Sequence, residues 1–176
     1  MKIVVLGHTG FVGKNLYNRL KKDGYDVSGC SRSSGVDILK YNQIYNYINA
    51  KEPDVIFNLA SHGGSMHYVR EYAADVFSEN LQMSLNMYQA INEINSDIKL
   101  IQPFSNCSYP GNSSVQTEDM WLNGPVHPSI FSFGNSKRAI YYLSDCYHKQ
   151  HGIKTVNLLF SNTYGPGDSN DPNKTH

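Results

Sequence analysis

The stretch Ile3-Val4-Val5-Leu6-Gly7-His8-Thr9-Gly10-Phe11-Val12-Gly13 decides the fold. Four consecutive apolar residues read as a buried strand, and Phe11, Val12, Leu16 and Leu20 then recur near helical spacing up to Asp23-Gly24. Glycines at 7, 10 and 13 fill the turn between them. In such a strand-turn-helix unit the first glycine permits the tight turn, the second lets a pyrophosphate approach the backbone, and the third lets the helix pack on the strand. Phosphate charge then rests on the N–H groups of the helix start. A glycine triplet alone could be a plain turn; the flanking strand and helix make it a dinucleotide cradle. His8, inside the loop, reads as a solvent-facing loop residue rather than a catalyst.

Outward from this unit, Tyr25–Cys30 reads as a second strand, Val36–Leu39 as a short third, and Tyr41–Ala50 as a helix that stops before Pro53. Asp54–Ala60, Ile98–Phe104 and Lys154–Phe160 read as further strands. A long amphipathic stretch from Tyr68 to Ile91 and a helix over Gly134–Gln150 separate them. The expectation is an α/β Rossmann domain over residues 1–176, a doubly wound parallel sheet covered on both faces, with 161–176 beginning a link to a substrate domain. The irregular loop Tyr109–Ile130, rich in Pro, Gly, Asn and Ser, is a functional candidate.

The 176 residues are 40% hydrophobic and 17% charged, with 15 basic and 15 acidic side chains and a formal charge of zero. This balance points away from nucleic acid and membrane surfaces and toward a small ligand. The immediate start of the first strand leaves no room for a signal peptide, and Cys30, Cys107 and Cys146 are too scattered for a metal or disulfide framework. A cytoplasmic protein is expected.

After the second strand, where an acidic residue would hold the ribose hydroxyls of NAD, the chain has Ser31-Arg32-Ser33-Ser34. Arg32 suits a 2′-phosphate, which favours NADP(H) while NAD stays possible; a solvated surface arginine is the other reading. Asp37 reads either as a partner for the adenine amine or as a turn residue. Thr9, Phe11 and Val12 in the loop, with Ile38, Leu59, Ala60 and Ser61 at later turns, complete the expected cofactor contacts.

The spacing Gly7-x-x-Gly10-x-x-Gly13, the strand end Asn58-Leu59-Ala60 and the segment Asn162-Thr163-Tyr164-Gly165-Pro166 together resemble the extended short-chain dehydrogenase/reductase family of nucleotide-sugar epimerases, dehydratases and reductases. Ser105-Asn106-Cys107-Ser108-Tyr109-Pro110 and the Asn162 segment followed by His176 are most similar to its GDP-L-fucose synthase group. That resemblance implies a GDP-linked 4-keto sugar as substrate, a 6-deoxyhexose or a heptose. It also implies a smaller C-terminal domain beyond this chain and a homodimer paired through helices near Asp75–Ile94 and Ser136–Gln150, with Met83, Met87 and Tyr141 exposed there.

The resemblance further implies a catalytic Ser, Tyr and Lys. Ser105 and Lys137 stand at the first and last positions, but Phe133 stands where the tyrosine belongs. A phenol of ordinary pKa near 10 works at neutral pH only beside a cation, which the i, i+4 lysine supplies; phenylalanine has no proton to give. Three readings stay open: an inactivating exchange that traps a ligand, a relative that has lost or changed the chemistry, or an enzyme with another proton donor. By the same resemblance Cys107 and His176 exchange protons beside the keto group, although one could be a small buried residue and the other a frayed terminus. Asn106, Asn162, His62 and Gly63 are placed against the sugar nucleotide, and Asn80 behind the lysine. The competing classes are a catalytically silent dinucleotide-binding sensor or scaffold and a non-redox epimerase or dehydratase with tightly held NAD.

Overall fold

The computed structural model describes residues 1–112 and 115–168. Its strands β1 (Lys2–Leu6), β2 (Asp26–Cys30), β3 (Val55–Asn58), β4 (Lys99–Ser105) and β5 (Thr155–Phe160) form one parallel sheet in the order β2-β1-β3-β4-β5. The helices are α1 (Phe11–Lys22), α2 (Tyr41–Lys51), α3 (Met66–Glu71), α4 (Ala73–Ile94) and α5 (Phe131–His151). From β1 to β2 the chain steps one way across the sheet, and from β2 through β3 and β4 to β5 it steps the other way. Right-handed crossovers therefore send α1 to one face and α2, α4 and α5 to the opposite face. The reversal opens a crevice at the carboxyl ends of β1 and β3, where doubly wound sheets bind ligands.

Strand alternation divides the core accordingly. Val4, Leu6, Ile56 and Leu100 pack against Ile44 and Ile48 of α2 and Met87, Tyr88 and Ile91 of α4. Ile3, Val5 and Val27 face Leu16, Tyr17 and Leu20 of α1. Both faces carry helices, as expected, but unevenly: among the described residues α1 is the one helix on its face, and Phe57, Leu59, Ile101 and Pro103 stay half-buried. No helix among the described residues is long and apolar enough to cross a membrane.

Three sequence expectations need correction. Residues 36–39 form a turn, not a strand, because their backbone groups are already taken: the Asp37 amide donates to Gln43 Oε1 at 2.7 Å, the Leu39 amide donates to Asp37 Oδ1 at 3.1 Å, and the Ile38 carbonyl accepts from the Asn86 side chain at 2.8 Å. The stretch from Tyr68 to Ile91 breaks at Tyr72 (φ −104°, ψ 39°) into α3 and α4. Met87 is fully buried in the larger core, and Met83 and Tyr141 are half-buried, Tyr141 lying edge-on to Trp121 at 5.0 Å between ring centroids. Met87 therefore serves the packing of this chain and is not exposed as expected, while Met83 and Tyr141 keep part of their surface accessible.

Candidate active site

The glycine loop is built for close approach. Gly7 has φ 75°, and a Cβ there would lie 2.8 Å from the Ala60 amide nitrogen, so both conformation and space require glycine. A Cβ on Gly13 would collide with the Gly7 carbonyl oxygen, over which α1 sits. Gly10 begins α1 without a side-chain cap, leaving the first-turn N–H groups of Phe11, Val12 and Gly13 for an external acceptor. This cradle fits a pyrophosphate. Gly13→Ala is expected to cost roughly 1–3 kcal/mol of stability by overpacking and to weaken dinucleotide binding, both readable as thermal shifts with and without NADPH. The imidazole of His8 is not solvent-facing as expected: it tilts against Tyr17 at 5.2 Å between centroids and lies over Gly29, where a Cβ would meet the ring.

Beside the cradle lies a cavity of about 380 Å³, walled by Gly7, Thr9, Gly10, Arg32, Asp37 and Ile38 on one side and by Leu59, Ala60, Ser61 and His62 on the other. Arg32 opens a 3₁₀ turn that a Ser31–Ser34 capping box holds, and Ser33 Oγ donates to Thr9 Oγ1 at 3.2 Å, tying that turn to the glycine loop. The guanidinium itself is exposed. Asp37 lines the cavity, and one of its oxygens closes the turn by accepting the Leu39 amide.

A second cavity, about 190 Å³, opens at the carboxyl ends of β3, β4 and β5. Leu59, Ala60 and Ser61 line both cavities; Val12, Ser105, Cys107, Phe133, Lys137 and Asn162 complete the second. Lys137 is 5% exposed. Its Nζ donates to Ser61 Oγ at 3.1 Å and lies 5.1 Å from the centroid of the Phe133 ring, and burial lowers its pKa to about 8. Ser61 Oγ donates in turn to Asn80 Oδ1 at 3.0 Å, which also accepts the His62 amide at 3.0 Å, so Asn80 stands one hydroxyl behind the lysine. Ser105 Oγ donates to Asn106 Oδ1 and accepts the Cys107 amide, each at 3.2 Å.

The remaining candidates sit around this pair of cavities. A Cβ on Gly63 would lie 3.2 Å from the Phe133 ring, so glycine lets loop and ring meet. His62 Nε2 hydrogen-bonds Tyr68 OH at 2.8 Å, while its Nδ1 lies 2.8 Å from Glu79 Oε2 without hydrogen-bond geometry. Neither Phe11 nor Gly13 lines either cavity, and His176 lies outside the described residues.

A third cavity, about 390 Å³, shares Cys107, Phe133 and Asn162 with the second and adds Asn106. Met66, Val69, Gln116, His127 and Ser129 also line it, and sequence reasoning named none of them for the site. The one signal for the last three was the long Tyr109–Ile130 loop. Arg138 holds that loop in place: its guanidinium donates to the carbonyls of Ser108 (2.7 Å), Gly124 (2.6 Å) and Trp121 (2.9 Å), and Trp121 Nε1 donates to Ser108 Oγ at 2.6 Å.

The pattern of the NAD dependent epimerase/dehydratase family matches residues 3–176. The chain belongs to that family. It is 28% identical over 170 residues to GDP-L-fucose synthase of Dictyostelium discoideum, covering 95% of this chain and 53% of that protein. It is 29% identical over 178 residues to GDP-L-colitose synthase of Yersinia pseudotuberculosis, covering 100% of this chain and 57% of that protein. Its fold is similar to that of a GDP-D-glycero-L-gluco-heptose synthase from Campylobacter jejuni crystallised in the presence of NADPH, with a TM-score of 0.89, 25% identity, and coverage of 99% of this chain and 51% of that one. The chain spans about half the length of the curated relatives it matches. The short-chain dehydrogenase/reductase resemblance, close to the GDP-L-fucose synthases, thus holds, as does the Rossmann-type parallel sheet.

Proposed function

We propose that the protein is an NADP(H)-dependent reductase of a GDP-linked 4-keto sugar, of the epimerase-reductase kind, in which Phe133 impairs proton delivery. The observation that carries this reading is the junction at Ser61, where the cavity beside the glycine cradle meets the cavity holding Ser105, Cys107 and Lys137. The names of three of the relatives, synthases of GDP-L-fucose, GDP-L-colitose and a GDP-linked heptose, support the substrate class, a 6-deoxyhexose or a heptose. A bound dihydronicotinamide would supply hydride to the sugar carbonyl, and with no phenol at position 133 the resulting alkoxide would take its proton slowly from solvent. Ser105 turns its hydroxyl from Asn106 to the carbonyl oxygen and polarises it. Lys137 holds the ribose hydroxyls and would stabilise a phenolate at position 133. Cys107 and His176 move the proton on the carbon next to the carbonyl, and Asn106, Asn162, His62 and Gly63 orient the sugar nucleotide. In this reading residues 1–176 are the dinucleotide-binding domain, residues 161–176 lead toward a substrate domain, and two cytoplasmic copies pair through the outer faces of α4 and α5.

The test is incubation with NADPH and GDP-4-keto-6-deoxymannose, following the dihydronicotinamide absorbance and the reduced sugar. Slow, protein-dependent product is expected. Phe133 favours a second reading, a silent dinucleotide-binding sensor or scaffold, which predicts cofactor binding without product. Stoichiometric NAD on the purified protein would instead point to a non-redox epimerase or dehydratase. The cofactor choice has its own test. Arg32→Ala is expected to weaken NADPH about tenfold, the scale of one charge-assisted hydrogen bond, and to leave NADH unchanged in a fluorescence titration. Equal loss of both would count against a 2′-phosphate contact.

A further inference from the structure

The cavity of about 390 Å³ contains one imidazole that the proposed chemistry does not use. His127 ends the long loop just before the 3₁₀ turn Pro128–Ile130 that leads into α5. Its Nδ1 accepts the Ser129 amide at 3.2 Å and lies 2.7 Å from Ser129 Oγ. A backbone N–H can only donate, so Nδ1 carries a lone pair and the ring proton sits on Nε2. The fold thereby fixes the tautomer. It also fixes the position: a Cβ on Gly111 would lie 2.5 Å from His127 Cα, the Gly111 amide donates to the Pro125 carbonyl at 3.0 Å, and Pro110 bridges to Val126. Two arms of the loop are pressed together there, and no other hydrogen bond engages the imidazole among the described residues.

The lining of this cavity says what it suits. It contains Asn106, Gln116, Ser129 and Asn162 but no lysine, arginine, aspartate or glutamate. A phosphate would call for a cation, whereas an uncharged wall of amides, hydroxyls and an imidazole suits a neutral polyol. Because the cavity shares Cys107, Phe133 and Asn162 with the pocket that holds Ser105 and Lys137, whatever enters it adjoins the reacting carbon. We infer that His127 is a sugar-binding residue whose Nε2–H donates to an oxygen of the sugar seated beside Cys107 and Phe133. This rests on the GDP-linked sugar of the proposed function.

The test compares GDP-L-fucose with GDP by calorimetric titration of the NADP-loaded protein, in the parent, His127→Leu and His127→Gln. Leucine is expected to weaken GDP-L-fucose about tenfold, the loss of one hydrogen bond to a buried polar group, and to leave GDP unchanged. Glutamine, which keeps an N–H donor, is expected to stay within about threefold of the parent. Equal weakening of both ligands by leucine would mean a structural role or a phosphate contact and would overturn the inference, as would unchanged GDP-L-fucose binding. A parent that binds NADPH but no GDP-L-fucose would sink the proposed substrate class, and the inference with it. A parent that binds it as tightly as His127→Leu does would sink the inference alone.

Discussion

Phe133→Tyr is expected to raise NADPH-dependent reduction of a GDP-linked 4-keto sugar by roughly 10²-fold to 10⁴-fold, the usual worth of a positioned general acid. The ring already stands where such a phenol belongs. It occupies the first turn of α5, would lie 3.2 Å from a Cβ placed on Gly63, and has Lys137 Nζ 5.1 Å from its centroid. The ring borders both the second and the third cavity, so there is open space beside it for one added hydroxyl. A buried ammonium, its own pKa drawn down to about 8, is a strong electrostatic partner for a phenolate beside it. The measurement is the steady-state loss of dihydronicotinamide absorbance with GDP-4-keto-6-deoxymannose, parent against variant. Activity that stays at the parent's level would abandon the reductase in favour of the silent binding protein.

The features that were legible in the sequence are those written in local spacing. Strand, glycine loop and helix lie within the first 22 residues, and each glycine answers to a contact inside that segment or at the neighbouring strand end. The Val36–Leu39 turn was not legible. A short apolar run becomes strand or turn according to where its amides and carbonyls go, and here Asn86, 48 residues from Ile38, takes one of them. Met87 misled for a related reason: periodicity shows that α4 has an apolar stripe but not that α2 and α5 flank it and bury most of its circumference. Ser105 and Lys137 were found through resemblance, and the structure adds what resemblance lacks, the chain of hydroxyl and amide running from Lys137 through Ser61 to Asn80. Met66, Val69 and His127 come together from α3 and the far end of a loop with no periodic pattern, so nothing local marked Met66 and Val69, and only the irregular loop as a whole pointed toward His127.

Lys137→Met is expected to change stability and function in opposite directions. The ammonium is 5% exposed, and its contacts are a hydroxyl and an aromatic face, with no carboxylate among them. Burial lowers its pKa from 10.5 to about 8, so the folded protein binds that proton less tightly than the unfolded chain does. The resulting penalty is fully present below about pH 8, shrinks as pH rises, and is gone above about 10.5, where both states are neutral. That difference in pKa corresponds to about 3 kcal/mol at most. Methionine keeps the length and apolar stem of lysine without the charge, so the variant is expected to gain about 1–3 kcal/mol at pH 7 in urea unfolding, with the gain fading near pH 10. In the Phe133→Tyr background the same change is expected to return reductase activity toward background, a loss of about 10²-fold or more, because the phenolate loses its cation. If Lys137→Met instead destabilised the protein at pH 7, the ammonium would be a structural strut bonded through Ser61. A residue kept for packing loses stability when it is replaced. One kept for chemistry, buried without a counter-charge, gives stability back, and the pH at which that gain disappears identifies the group responsible.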